Sequence, residues 1–208
     1  EHSPYTVHEV VSNGVRLAKE AAKGTDVKVA LSIGPLSVLL EPYGDLTEEE
    51  ATAIYEEQIG AGMSEGADII MLQTFMDVAM MAVAVAVAKK YSVPVFCMMT
   101  FEKAGKTMMG QSVQDVLDVL VPMGIDAIGL NCSLGPDLAI PIMEEFHEKT
   151  DLPLLFKPNA GKPVTDANGT VTTAYDANTF VNDILPAASF VSYIGGCCGT
   201  NPSYIQCL

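Results

Sequence analysis

Positive charge is scarce in this sequence: 11 Lys and Arg stand against 26 Asp and Glu, for a formal net charge of −15. That balance excludes a nucleic-acid partner, because neutralising phosphates takes a basic footprint. Long apolar runs are missing too. The longest, Val78 to Ala88, falls far short of the ~20 residues a bilayer-spanning helix needs, and the N-terminus lacks the charged, apolar and small-residue order of a secretory leader. Cysteines are few and odd in number (Cys97, Cys132, Cys197, Cys198 and Cys207), unlike the dense even sets of small disulfide frameworks. These absences point to a cytoplasmic protein with neither membrane nor nucleic acid among its partners. The only histidines, His2, His8 and His147, have no metal-ligand spacing and read as solvated or helix-face residues.

What is present favours one compact domain, since 208 residues with 49% apolar and 18% charged content can bury a sizeable core. The chain opens at Glu1 without a methionine and stops soon after its richest motif, so it is expected to be a piece truncated at both ends. Helical spacing runs over Thr6 to Lys23, and Val27 to Ile33 reads as a strand. Thr47 and Glu50 form a capping box for a helix to about Glu65. Strand and helix patterns then alternate: strand Asp68 to Leu72, helix Asp77 to Lys90, strand Val93 to Met99 and helix Ser112 to Met123. Strand Ile125 to Leu130, helix Asp137 to Thr150, strand Pro153 to Phe156, helix Asp176 to Ala188 and strand Phe190 to Ile194 complete the series. Met76 to Val87 alternates alanine with valine as a strand might, but its alanine content and terminal Lys89 and Lys90 favour helix.

Such alternation implies right-handed crossovers and a parallel sheet, either doubly wound or closed into a barrel. Gly34-Pro35, Gln73-Thr74, Thr100-Phe101, Asn131-Cys132, Pro158-Asn159 and Cys197-Cys198 each follow a predicted strand, the face on which barrel enzymes place their sites. An eight-stranded barrel takes about 250 residues, so the expected α/β fold is a (βα)8 TIM barrel lacking about two N-terminal βα units.

Cys132, Cys197 and Cys198 lie at strand ends. Thiolate sulfur suits zinc, and three protein ligands leave one exchangeable position, the arrangement of a catalytic rather than a closed structural site. Neighbouring side chains on a strand point to opposite faces, so Cys197 and Cys198 can share an ion only if the backbone turns, a freedom expected from Gly195, Gly196 and Gly199. Ordinary buried thiols, or a disulfide between neighbours, are the competing readings. Cys97 and Cys207 read as a core thiol and an incidental one.

These motifs, with Ser32-Ile33-Gly34-Pro35, Gly105-Lys106-Thr107, Gly129-Leu130-Asn131-Cys132-Ser133-Leu134-Gly135-Pro136, Pro158-Asn159-Ala160-Gly161-Lys162-Pro163 and Gly195 through Thr200, resemble the homocysteine S-methyltransferases. Within that family they are most similar to the homocysteine-binding module of cobalamin-dependent methionine synthases, over nearly the whole chain. The resemblance implies residues 1–208 form a zinc-containing barrel domain in which Cys132, Cys197 and Cys198 bind Zn2+. The homocysteine thiol would take the fourth position and accept a methyl group to give methionine. It further implies that Asn159 belongs to the amino-acid site, and that the methyl donor, methylcobalamin in the corrinoid branch, arrives on another domain or protein.

Where the family carries a glutamate at the third strand end, this chain has Gln73. Replacing that carboxylate by an amide removes the charge-assisted part of its bond to the substrate ammonium, on the order of 1–2 kcal/mol, so restoring glutamate is expected to tighten homocysteine binding. A non-catalytic zinc-binding or thiol-sensing relative is the alternative function, and a metal-free enzyme using its cysteines as redox groups is a third.

Overall fold

The computed structural model describes residues 3–161, 163–165, 169, 171–173 and 175–208. In chain order the elements are α1 (Val7–Ala21), β1 (Ala30–Ile33), α2 (Glu48–Ser64), β2 (Ile69–Phe75), α3 (Val78–Ala88), β3 (Val95–Met99), α4 (Val113–Leu120), β4 (Ala127–Asn131), α5 (Pro136–Lys149), β5 (Leu154–Lys157), β6 (Pro163–Thr165), β7 (Val171–Thr173), α6 (Ala177–Ile184), β8 (Tyr193–Ile194) and α7 (Pro202–Gln206). Helix starts are set by local chemistry. Thr6 with Glu9, Thr47 with Glu50 and Ser112 with Asp115 all form reciprocal capping boxes, while Asp77 and Asp176 cap α3 and α6 through their carboxylates. The alanine–valine stretch is helical as its composition indicates, and it is buried on nearly every side.

β1, β2, β3, β4, β5 and β8 form one parallel sheet in that order. Each strand pairs with its predecessor, so the order never reverses as it must in a doubly wound sheet. A sheet built this way puts its helices on one face and curls around the other. The helix-covered face holds the main core, including Tyr55, Phe75, Phe101, Phe146 and Phe156. The opposite, inner face carries a second cluster of Phe96, Met98, Ala127 and Leu155, with Ile69 and Met71 packed against it. No helix among the described residues is long and apolar enough to cross a membrane.

Register carries the inner face upward to the strand C-termini: Ser32 pairs with Met71, Gln73 with Met98, and Asn131 with Lys157. β4 and β5 approach so closely that a Cβ on Gly129 would run into the backbone of Leu155. Gly129→Ala is therefore expected to destabilise the fold by about 1–3 kcal/mol through overpacking, read as a lower denaturant midpoint at unchanged slope; an unaltered midpoint would show that the two strands can part freely.

The strand and helix order matches the sequence expectation with shifted ends: most elements are shorter, but β2 runs on to Phe75, β4 to Asn131 and β5 to Lys157. Pro122 and Pro186 turn the ends of the fourth and sixth helices into 3-10 turns, since proline removes the donor an α-turn needs. Three elements were not foreseen. β6 and β7 form an antiparallel pair inserted between β5 and α6, and α7 starts at Asn201, whose side chain accepts from the Ser203 N–H.

Candidate metal and thiol site

Two strand ends deliver three thiols to one point. Cys132 follows β4 directly, and Cys197 and Cys198 follow β8 after two glycines. The segment leaving β5 ties them together. Cys132 N–H donates to Lys157 O at 3.1 Å, Cys197 N–H to Pro158 O at 2.9 Å, and Ala160 N–H to Cys198 O at 3.0 Å. Cys198 N–H donates to Asn159 Oδ1 at 3.1 Å. Cys132 Sγ consequently lies 3.2 Å from Cys197 Sγ and 3.3 Å from Cys198 Sγ, and all three sulfurs are within 4.8 Å of one another. All five cysteines are free.

The donor set fits zinc. Tetrahedral coordination at about 2.3 Å from each sulfur would hold the atoms roughly 3.8 Å apart, a spread reached from the observed spacing by small side-chain rotations. Burial chiefly, and then the adjacent Cys132 thiol, raise the Cys197 pKa above the ordinary thiol value. Burial and the neighbouring thiol thus disfavour the Cys197 thiolate unless a cation stands beside it.

Bringing the thiols together bends the backbone, at one of the expected glycines and also at residues that bear a Cβ. Cys132 (φ 65°) and Ser133 (φ 58°) are both left-handed, a conformation that costs residues bearing a Cβ roughly 1–2 kcal/mol each. Of the bracketing glycines only Gly199 uses positive φ, at 83°. Gly195 and Gly196 instead allow close approach: an added Cβ would lie 3.3 Å from Lys157 Cγ in the first case and collide with the Thr200 side chain in the second.

Thr74, at φ 68°, sits where β2 slips register against β3. Asn131, fully buried, ties the strained end of β2 to the cysteine loop. Its Oδ1 accepts from Thr74 N–H at 2.8 Å, and its Nδ2 donates to Thr74 Oγ1 at 2.7 Å and to Cys197 Sγ at 3.7 Å. Thr100 Oγ1 donates to Asn131 O at 3.0 Å. The sequence placed Asn131 and Thr100 at strand ends on the site-bearing face but assigned neither a role. The available signal was a polar side chain ending a run of buried apolar residues, immediately before a ligand-type cysteine.

Gln73 reaches the inner rim, where its Nε2 donates to Ser32 Oγ at 2.6 Å and its Oε1 accepts from Lys157 Nζ at 3.0 Å. Asn159 spends its carbonyl oxygen on the cysteine loop. Cys97 is buried in β3, where burial pushes its thiol pKa far up, in keeping with a core thiol; Cys207 is exposed at the C-terminus. His147 stacks on Phe190 with ring centroids 5.2 Å apart, as a helix-face residue would. His2 and Lys162 lie outside the described residues. A cleft of about 540 Å³ lined by Leu40, Glu48, Ala79, Val83 and Met123 lies in the outer helical layer and gathers no reactive groups. A smaller one of about 340 Å³, lined by Ser133, Gly135, Asp137 and Tyr175 among others, adjoins the cysteine turn.

The homocysteine S-methyltransferase family model matches residues 2–208. Methionine synthase from Mycobacterium tuberculosis (strain ATCC 25618 / H37Rv) is 30% identical over 164 residues, which cover 73% of this chain and 13% of that protein. The enzyme of the same name from Mycobacterium leprae (strain TN) is 30% identical over 164 residues, with the same coverage. The chain thus spans about an eighth of the length of these relatives. In fold it is similar to the homocysteine methyltransferase MmuM from Escherichia coli. The apo form superimposes with a TM-score of 0.78 at 21% identity, covering 100% of this chain and 75% of that one; the metallated form gives 0.72 at 21% identity, covering 97% and 68%. With the family model matched from the second residue to the last, and its cysteines gathered at the ends of parallel strands, the chain belongs to the homocysteine S-methyltransferase family.

Proposed function

We propose that residues 1–208 form a homocysteine-binding module in which Cys132, Cys197 and Cys198 hold a catalytic zinc and the homocysteine thiol is methylated to methionine. The observation that carries this reading is the convergence of three sulfurs within 4.8 Å at the C-terminal ends of the strands. When bound there, zinc would supply the Lewis acidity that removes the proton from an incoming thiol at neutral pH. The chain's own work is positional. The left-handed turn at Cys132 and Ser133 aims one sulfur, Asn159 fixes the backbone that aims another, and Asn131 donates toward Cys197 Sγ.

The substrate sulfur then attacks the methyl carbon as the bond to the leaving group breaks, and the thiol proton passes to solvent. Such in-line transfer gains chiefly from orientation. For the donor we favour a corrinoid-borne methyl group presented by another domain or protein, a choice supported by the likeness to the two methionine synthases. The six-stranded sheet is read as part of a (βα)8 barrel, with two further strands meeting the edges offered by β1 and β8.

The test is methionine formation by the full-length protein from homocysteine with methylcobalamin, S-methylmethionine or betaine, alongside zinc analysis. Near-stoichiometric zinc and turnover with one donor are expected. Zinc and thiol binding without turnover on any donor would favour the sensing alternative, and a metal-free protein with a reducible bond between cysteines would favour the redox one.

A further inference from the structure

Ser32, Gln73 and Lys157 form a line of hydrogen bonds across the inner face at the strand C-termini. The orientation of the Gln73 amide is dictated by its partner, since an ammonium can only donate and must meet the carbonyl end. The Gln73 oxygen is therefore committed to a cation. A substrate ammonium seeking that oxygen would meet the charge of Lys157 as well.

Lys157 is in the opposite situation. One of its three N–H donors is engaged by Gln73, and among the described residues no carboxylate lies within ion-pair distance of it. That is notable in a chain where acids outnumber bases 26 to 11. The side chain is half-buried, with its stem running past Gly195, and the Lys157 carbonyl accepts the Cys132 N–H. An ammonium at the strand ends that also carry the thiols, with no further acceptor among the described residues, is a binding point for an anion.

We propose that Lys157 is the specificity-determining residue of the thiol site: it takes the substrate's carboxylate, with Gln73 and Ser32 as positioning residues. The site then selects mercapto acids by their acid group rather than by their amine. This rests on the thiol-methylation reading above and adds to it which end of the substrate the chain recognises.

The experiment compares three thiols by calorimetric titration into the zinc-loaded full-length protein: homocysteine, 4-mercaptobutyrate without the amine, and 3-mercaptopropylamine without the carboxylate. Loss of one charge-assisted bond corresponds to on the order of 10- to 100-fold in Kd. That loss is expected for 3-mercaptopropylamine, with little change for 4-mercaptobutyrate. In Lys157→Met the gap between homocysteine and 3-mercaptopropylamine should close, and Lys157→Arg should keep it. Because the Gln73 oxygen already meets Lys157, Gln73→Glu supplies Lys157 with an internal carboxylate and, in place of the tighter binding expected from sequence, should weaken 4-mercaptobutyrate to a similar extent, which keeps the idea testable if the Lys157 variants misfold.

Thiols that bind with discrimination unaffected by Lys157→Met and Gln73→Glu would overturn the role of Lys157 alone. Failure of all three thiols to bind the zinc-loaded protein would overturn the thiol-site reading and this assignment together.

Discussion

Cys132→Ser should leave a folded protein that no longer retains zinc and forms no measurable methionine. Structural zinc sites carry about 10–16 kcal/mol of binding free energy at neutral pH. Taking a third of that for one of three thiolates, roughly 3–5 kcal/mol is lost, or roughly three orders of magnitude in affinity. A serine oxygen recovers little, because an alcohol at neutral pH is neither deprotonated nor soft. Cys197→Ser and Cys198→Ser should behave alike, whereas Cys97→Ser and Cys207→Ser should keep the metal, since neither belongs to the cluster. Zinc retention should also weaken as pH falls, because protons compete for the same sulfurs. Competition against a chelator of known affinity reads all of this. A Cys132→Ser protein that holds zinc as tightly as the parent would remove the basis of the proposed chemistry.

The folding rhythm could be read from residue patterns because it rests on local rules. Thr47 and Glu50 announce a helix start through a reciprocal bond that spans only three residues. The run Val95 to Met99 is apolar throughout because both faces of that strand are covered. The cysteine cluster was legible for a different reason, since each thiol sits at a strand end and parallel strands put their C-termini on one side. What could not be read was pairing across the sheet. Nothing near Gln73 in sequence says that its partner is Lys157, 84 positions away, so its amide was expected to face a substrate ammonium rather than a lysine. The location of backbone strain was equally hidden. Glycines near Cys197 advertised flexibility, and Gly199 uses it, yet three non-glycine residues, Cys132, Ser133 and Thr74, are left-handed as well, held there by tertiary hydrogen bonds that no local propensity encodes.

Asn131→Ala should then damage metal affinity and stability at once, although Asn131 supplies no metal ligand. The residue is fully buried. Its removal leaves the Thr74 N–H without the acceptor now at 2.8 Å, a loss of about 1–3 kcal/mol for an unsatisfied buried donor. It also frees Thr74 to leave its left-handed conformation, shifting the bulge and with it Gln73, the neighbouring residue. At the cysteines, the donor now directed at Cys197 Sγ disappears. Outer partners of this kind typically contribute 10–100-fold to metal affinity or activity, so a zinc affinity lower by about that factor is expected. Asn131→Asp separates the two effects. It keeps an acceptor for Thr74 N–H and should recover much of the denaturant midpoint, but it sets a carboxylate against the sulfurs and should bind zinc no better than Asn131→Ala. If Asn131→Ala lowered the midpoint and left zinc affinity untouched, Asn131 would be a strut for the β2 bulge alone, and the Cys197 sulfur would need no donor from the sheet.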